Sequence, residues 1–166
     1  MRALLRALFL GGLVVAAGFV WSTASGMPDP MASRFSASGA CAGRMPRAVY
    51  RGFMTGVTVC VPLVLYLALG RLPRWRPRFA DIPHREFWFS PQRHGRTLDF
   101  LERHALATGA GLALLLVGMH ALFLQANRNV PPSTSMGVWM ALAGLFLAWV
   151  LAAAFTLSAR FRRRRD

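Results

Sequence analysis

The sequence predicts an all-α membrane protein, folded as a bundle of four transmembrane helices. Hydrophobic residues make up 55% of the 166 residues and charged residues only 16%, too few charges to cover the surface of a soluble domain of this size. Four apolar runs each approach the roughly 20 residues that a helix needs to cross the hydrocarbon core. We also expect a short β-like outer loop and an interfacial cytoplasmic helix.

The four predicted spans are the longest apolar runs of the chain. At 1.5 Å per residue each forms a helix of about 28 Å or more, close to the hydrocarbon thickness. The chain is predicted to be a single membrane domain, with spans at about 3–21, 52–70, 106–124 and 137–158, outer loops at 22–51 and 125–136, a cytoplasmic loop at 71–105 and a basic tail at 159–166.

The first span has two interpretations. It begins with Arg2 and Arg6, continues with an apolar core, and is followed by the small residues of "STASG". This arrangement fits a membrane span, but it also fits a signal peptide that is removed after about residue 24. Both interpretations stay open at this point.

The distribution of arginine predicts the orientation. The formal net charge is +14, and the chain has 20 arginines and no lysine. Fifteen of these arginines lie at the N-terminal end (Arg2 and Arg6), in the loop 71–105 or in the tail. Since positive charge is retained in the cytoplasm, both termini and this loop are expected to be cytoplasmic, in a multi-pass membrane protein.

The same distribution indicates which partners to expect. Arginines at membrane edges are attracted to anionic lipid headgroups, so the bilayer itself is the first expected partner. A membrane-protein partner or a homo-oligomer is a second expectation. No nucleic-acid-binding motif accompanies the charge, so we do not expect nucleic acid to bind, and no cofactor or metal motif is evident.

Small residues predict where the helices pack. Gly52 and Gly56 in the second span, and Gly144 and Ala148 in the fourth, are spaced four residues apart and so share a helix face. Small residues let membrane helices approach closely, which makes these faces candidate contacts. Pro62 predicts a kink in the second span, as a packing feature rather than a gate.

His120 is the strongly polar side chain that lies well inside a span. Such a residue is a candidate functional site, although a neutral histidine bonded to a neighbouring helix is the expected arrangement. In the cytoplasmic loop, Leu98 and Leu101 share an apolar face that predicts a short helix running into the third span. The loop also contains residues that could serve an enzyme, although their spacing matches no strong metal motif: His84, Glu86, His94, Glu102 and His104. Because arginines are abundant in the loop, we expect its carboxylates to form structural ion pairs.

Two polar stretches of the sequence are similar to segments of a known family. The first is "MPDPMASRFSASGACAGRMPR", which contains Arg34 and Arg44, and the second is "DIPHREFWFSPQR". Both resemble the domain of unknown function 1648 family of small bacterial membrane proteins, a domain also found at the N-terminus of Sdp-type toxin immunity proteins, whose members have histidine and tryptophan at the positions of Arg34 and Arg44. The resemblance implies a location in the bacterial inner membrane. The resemblance implies a candidate outer contact surface of Pro28, Arg34, Phe35, Gly39, Gly43 and Arg44, and a candidate cytoplasmic motif of Pro83, Arg85, Glu86 and Trp88.

These observations support three functional hypotheses. The first is a partner-binding, sensing or immunity-like accessory protein, because the outer loop is expected to be structured and the basic inner loop has no catalytic motif. The second is a small transporter or channel subunit, which would use Pro62 and His120. The third is a membrane enzyme that would use the histidines of the cytoplasmic loop. The sequence favours the first and predicts no catalytic residue.

Overall fold

A computed structural model describes residues 2–76 and 82–162 of the chain. The segment 77–81 of the predicted cytoplasmic loop and the last residues of the predicted basic tail lie outside the described residues. The elements are α1 (Arg2–Ala24), β1 (Met31–Phe35), β2 (Cys41–Met45), α2 (Arg47–Tyr66), a π-helical turn (Leu67–Arg71), α3 (Leu72–Trp75), α4 (Arg85–Trp88), α5 (His94–Arg128) and α6 (Met136–Phe161).

The described residues contain four helical segments that are long enough and apolar enough to cross a membrane. They are Arg2–Ala24, Arg47–Trp75, His94–Arg128 and Met136–Phe161. Each predicted apolar span lies inside one of them, so the prediction of four long apolar helices is confirmed. The second of these segments is α2, the π-helical turn and α3, which follow one another without a break.

Consecutive long helices run in opposite directions, and the two ends of the molecule differ in composition. The hairpin end contains β1 and β2, the end of α5 and the start of α6. The arginine-rich end contains the start of α1, α3, α4 and the start of α5. Of the described arginines, only Arg34, Arg44, Arg47, Arg51 and Arg128 belong to the hairpin end.

The core lies between α1, α2 and α5. At the hairpin end, Val20 and Met54 are buried with Leu116 in one apolar cluster. Towards the arginine-rich end, Phe9 and Tyr66 pack in a second cluster with their ring centroids 5.5 Å apart. Three helices therefore form the interior of the protein.

The contact face of α2 differs from the predicted one. Its buried residues follow an i, i+4 pattern. A Cβ atom built on Gly52 or Gly56 would meet no atom within 4 Å, so the predicted glycine face is wrong as a contact within the chain. Both faces of this helix are apolar, and larger side chains fill the interface: Tyr50, Met54, Thr58, Pro62 and Tyr66.

The contact face of α6 was also predicted wrongly. Gly144 and Ala148 are exposed, and a Cβ atom on Gly144 would meet nothing within 4 Å. Helix α6 instead packs on α5 through side chains such as Trp149, whose indole ring lies over Gly111. A Cβ atom on Gly111 would lie 2.3 Å from Trp149 Cε2, so this glycine makes the contact sterically possible.

Two local features shape the end of α2. Pro62 lies inside the helix, which nevertheless continues to Tyr66. The π-helical turn follows and contains Gly70, which is buried against α5. A Cβ atom on Gly70 would lie 3.0 Å from the Cβ atom of Ala105, so the absence of a side chain lets α2 and α5 approach closely here.

Helix α5 is the longest element, with 35 residues. The short helix predicted before the third span and the span itself form one continuous helix. Leu98 and Leu101 are both buried, as their shared apolar face predicts. Because this helix contacts α1, α2, α6 and the strand β1, it joins the two ends of the molecule.

The predicted β-like loop is a two-stranded antiparallel hairpin. Its strands pair from Met31 opposite Met45 to Phe35 opposite Cys41, with irregular register around Arg34. Gly39 lies in the turn between them with a φ of +83°, a left-handed conformation that glycine adopts without strain.

Candidate functional site

The hairpin presents one buried and one exposed set of side chains. Met31 and Ala32 are 0% and 1% exposed, so this part of β1 is anchored in the protein interior. Arg34 and Arg44 are both exposed. The hairpin therefore displays two guanidinium groups from an anchored backbone.

Asn127 of α5 attaches the hairpin to the helices. Its Oδ1 accepts a hydrogen bond from the Ala32 N–H at 2.7 Å, and its Nδ2 donates to the Ala32 carbonyl at 3.0 Å. Nδ2 also donates to the carbonyl of Phe123, one turn earlier in α5. The side-chain amide thus pairs with β1 as a neighbouring strand would, and it satisfies polar groups that are buried.

The tip of the hairpin is held by the segment before α6. The N–H of Thr134 donates to the Gly39 carbonyl at 2.9 Å, and Ala40 forms an isolated antiparallel bridge with Ser133. A Cβ atom on Gly39 would lie only 1.9 Å from the Thr134 carbonyl oxygen. Gly39 is therefore required for this contact as well as for the turn.

The connections on either side of the hairpin are also hydrogen-bonded. The backbone N–H at the start of α2, at Arg47, donates to Asp29 Oδ1 at 3.1 Å. The Arg47 guanidinium donates to the carbonyls of Ser25 and Met27, at 2.9 and 3.0 Å. These bonds join the end of α1 to the start of α2 and limit the movement of the hairpin between them.

The six residues of the predicted outer contact surface do not form one exposed patch. Pro28, Arg34 and Arg44 are exposed, whereas Gly39 is buried. Phe35 is half-buried, with its ring centroid 6.3 Å from that of Phe123. The sixth residue, Gly43, lies beneath the Arg34 side chain, since a Cβ atom there would be 2.8 Å from Arg34 Nε.

His120 is fully buried and bonds to two other helices. Its Nε2 lies 2.7 Å from Thr23 Oγ1 of α1, and its Nδ1 lies 2.9 Å from the Tyr50 hydroxyl of α2. The Tyr50 ring is also stacked on the imidazole, with a centroid distance of 5.8 Å. The three residues form a polar cluster, here called the His120 cluster, inside the apolar core.

The hydrogen bonds of Thr23 determine which nitrogen of His120 is protonated. The Thr23 hydroxyl donates its single hydrogen to the Phe19 carbonyl. It must therefore accept a hydrogen bond from His120, whose Nε2 is then the protonated nitrogen. The Tyr50 hydroxyl donates to Nδ1, so both nitrogens of a neutral imidazole are paired.

A second polar cluster, here called the Glu102 cluster, lies at the arginine-rich end. Glu102 is 2% exposed and forms ion pairs with Arg6 of α1 and Arg74 of α3, the latter at 3.1 Å. The Tyr66 hydroxyl of α2 also donates to it, at 3.2 Å. One turn away, Asp99 forms an ion pair with Arg2. The buried carboxylate thereby joins three helical segments to α5.

The predicted cytoplasmic motif is divided between solvent and protein. Pro83, Arg85 and Glu86 are exposed, and Glu86 lies in the first turn of the short helix α4. Trp88 is half-buried, because its ring packs on Phe161 with a centroid distance of 5.3 Å. In the motif, Trp88 is thus the residue that packs α4 against the end of α6.

The histidines that could serve an enzyme are separated. His84 is exposed before α4, and His104 is half-buried in α5, where it stacks on Phe100. Within residues 2–76 and 82–162, no group of three or more histidine, cysteine or acidic side chains is arranged to hold a metal ion.

Two polar residues of these sites were missed from the sequence. Asn127 and Tyr50 bond to residues 95 and 70 positions away in the chain, and no local pattern reveals such pairs. For Glu102 the arginine-rich loop favours an ion pair, and the structure has one. Its partners Arg6, Tyr66 and Arg74 lie in three other helical segments, so the sequence alone does not identify them.

No protein-family model, curated protein or solved structure matches the chain. The resemblance to the domain of unknown function 1648 family therefore stays a prediction.

Proposed function

We propose that this chain is an accessory protein of a bacterial inner membrane that binds a partner protein through its hairpin, in a sensing or immunity-like role. The observation that carries the proposal is the attachment of the hairpin. Asn127 bonds its strand to α5, Gly39 bonds its tip to the segment before α6, and Arg47 bonds its base to the end of α1 and the residues that follow. Such a surface is already ordered before a partner arrives.

An ordered surface favours binding for a physical reason. Association costs free energy when loops and side chains become fixed, and this cost falls when the backbone is fixed beforehand. The exposed Arg34 and Arg44 then determine the partner's chemistry. Since arginine is enriched at protein interfaces and pairs with carboxylates in a planar fork, the expected partner presents an acidic surface.

We place the hairpin outside the cell and the arginine-rich end in the cytoplasm. This proposal is supported by the arginines of the described residues, most of which lie at one end of the helices. In inner membranes the more positive end is retained in the cytoplasm. The partner is then an external factor or the outer part of another membrane protein.

The orientation can be tested with the two cysteines, both of which are free thiols. Cys41 begins β2, and Cys60 lies on the exposed face of α2 near the middle of a candidate span. A membrane-impermeant maleimide applied to intact cells should label the wild type and not the Cys41→Ser variant. Labelling of Cys41 only after lysis would overturn the orientation.

Partner binding can be tested with a photoreactive amino acid at Ala37, which is exposed in the hairpin turn. In native membranes we expect crosslinking to a protein, with yield reduced about tenfold or more by Arg34→Glu combined with Arg44→Glu, because like charges would then face each other. Arg128→Glu is the matched control, since Arg128 is exposed at the same end outside the hairpin. Crosslinks to lipid alone, or an equal loss in the control, would contradict the proposal.

The transporter hypothesis receives less support from the geometry. His120 uses both ring nitrogens for Thr23 and Tyr50, so in this arrangement neither nitrogen is available to bind a solute. The hypothesis still makes a clear prediction, which is loss of a solute or proton flux in vesicles that contain the His120→Ala variant. The enzyme hypothesis also stays a prediction, and metal analysis of the purified protein tests it.

A further inference from the structure

We propose that the groove between α5 and α6 binds one anionic phospholipid, with an acyl chain along the groove and the headgroup at the arginine-rich end. This inference does not depend on the partner proposed for the hairpin. It rests on the shape of the groove, on its length and on the charge at one end.

The walls of the groove suit an acyl chain. The groove has a volume of about 340 Å³ and lies between α2, α5 and α6. Its walls are apolar, and they include Leu65, Leu112, Phe146 and Trp149. The hydroxyl of Thr108, a polar group of the wall, is already bonded to the His104 carbonyl at 2.8 Å. That hydroxyl therefore does not need water, which an acyl chain would exclude.

The length of the groove matches one leaflet of a bilayer. Along α5 it runs from His104 to Leu112, and along α6 from Phe146 to Leu157. At 1.5 Å per residue these stretches are about 12 and 16 Å long. Half of the roughly 30 Å hydrocarbon core is about 15 Å. One acyl chain of the leaflet at the arginine-rich end fits this length.

His104 lines the end of the groove nearest the arginine-rich end, and further aromatic rings pack beside it. His104 stacks on Phe100, with a centroid distance of 5.8 Å and nearly parallel rings. Phe100 in turn contacts Phe161, the residue with which α6 ends. A lipid chain that follows the groove toward this end therefore stops at the level of these rings, where its glycerol and phosphate groups would lie.

A positive charge lies at that level. The guanidinium carbon of Arg160 lies 5.6 Å from the Phe100 ring centroid and 5.1 Å from that of Trp88. Among the described residues, the ion pairs of Asp99 and Glu102 involve other arginines. The Arg160 guanidinium is therefore not paired with these carboxylates and can bind an anionic ligand. Arginine forms paired hydrogen bonds with the phosphate of either lipid, and its positive charge favours a lipid with net negative charge over one whose headgroup also carries a cation.

Native mass spectrometry of the purified full chain tests the site. With dioleoyl phosphatidylglycerol and dioleoyl phosphatidylcholine at equal concentration, we expect one phosphatidylglycerol to be retained in preference. Ala153→Phe, which fills the groove, and Arg160→Gln should each lower that retention at least fivefold. The matched controls are Ala141→Phe on the exposed part of α6 and Arg128→Gln at the hairpin end.

Equal retention of the two lipids, or retention unchanged by Ala153→Phe, would overturn the proposal. A short-chain dihexanoyl phosphatidylglycerol provides a second measurement, since it has the same headgroup without the length of the groove. The wild type should retain it several-fold less than the dioleoyl form. Circular dichroism of each variant establishes that the helices are intact, so that a lost lipid reports on the site rather than on folding.

Discussion

At position 39 the backbone conformation and the neighbouring segment both require glycine. The residue has a positive φ, and its missing side chain makes room for the Thr134 carbonyl. Gly39→Ala should therefore lower the free energy of unfolding by about 1–3 kcal/mol, the cost of a strained left-handed residue or a displaced contact. Gly144→Ala is the matched control, since it meets nothing within 4 Å in a helix and should be neutral or stabilising. Thermal unfolding in detergent measures both, and equal shifts would contradict the argument.

His120 lies where three helices meet, and the expected effect of its loss follows from its two partners. His120→Ala leaves the Tyr50 hydroxyl and a lone pair of Thr23 unpaired in the core. An unsatisfied buried polar group costs about 1–3 kcal/mol, so the free energy of unfolding should fall by at least this amount. His84→Ala, at an exposed position, should change stability by less than about 0.5 kcal/mol. If the two variants unfold at the same temperature, the His120 cluster does not stabilise the bundle.

At the scale of elements, the Glu102 cluster determines how α1 and α3 meet α5. Glu102→Gln removes the charge that Arg6 and Arg74 share, and leaves two arginines facing each other. We expect the free energy of unfolding to fall by about 2–3 kcal/mol. This is less than for a fully buried ion pair, because both arginines are partly exposed to solvent. Chemical denaturation in mild detergent measures this loss. Glu86→Gln is the control, since Glu86 is exposed on α4, and a comparable loss there would mean that the effect is one of net charge.

The elements also show how much of the fold could be predicted from the sequence. The four apolar helices and the strand beginning at Met31 follow from local composition and turn residues. The packing faces were predicted wrongly at Gly52 and Gly144. Every face of such a helix is apolar, so periodicity alone does not show which face packs against the rest of the protein. The bond between Asn127 and Ala32 joins positions 95 residues apart, so only the folded structure brings it to light.

For the whole molecule, the two interpretations of the first span make different predictions. Helix α1 supplies Arg6 to the Glu102 cluster and Thr23 to the His120 cluster, and its Phe9 and Val20 are buried in the core. Removal of this helix would leave polar groups unpaired at both ends and expose the apolar core. We therefore expect the mature protein to retain α1, and mass spectrometry of the purified protein should find residues 2–24 present. A mass lower by about 24 residues would establish the signal-peptide interpretation.

Helix α5 has a mechanical consequence for the whole molecule. Glu102 near one end and Asn127 near the other are separated by about 38 Å of uninterrupted helix, at 1.5 Å per residue. A helix is stiff over this length, and the amide of Asn127 holds the backbone of β1 at two atoms. Any axial slide or rotation of this rod is therefore transmitted to the hairpin without an intervening joint.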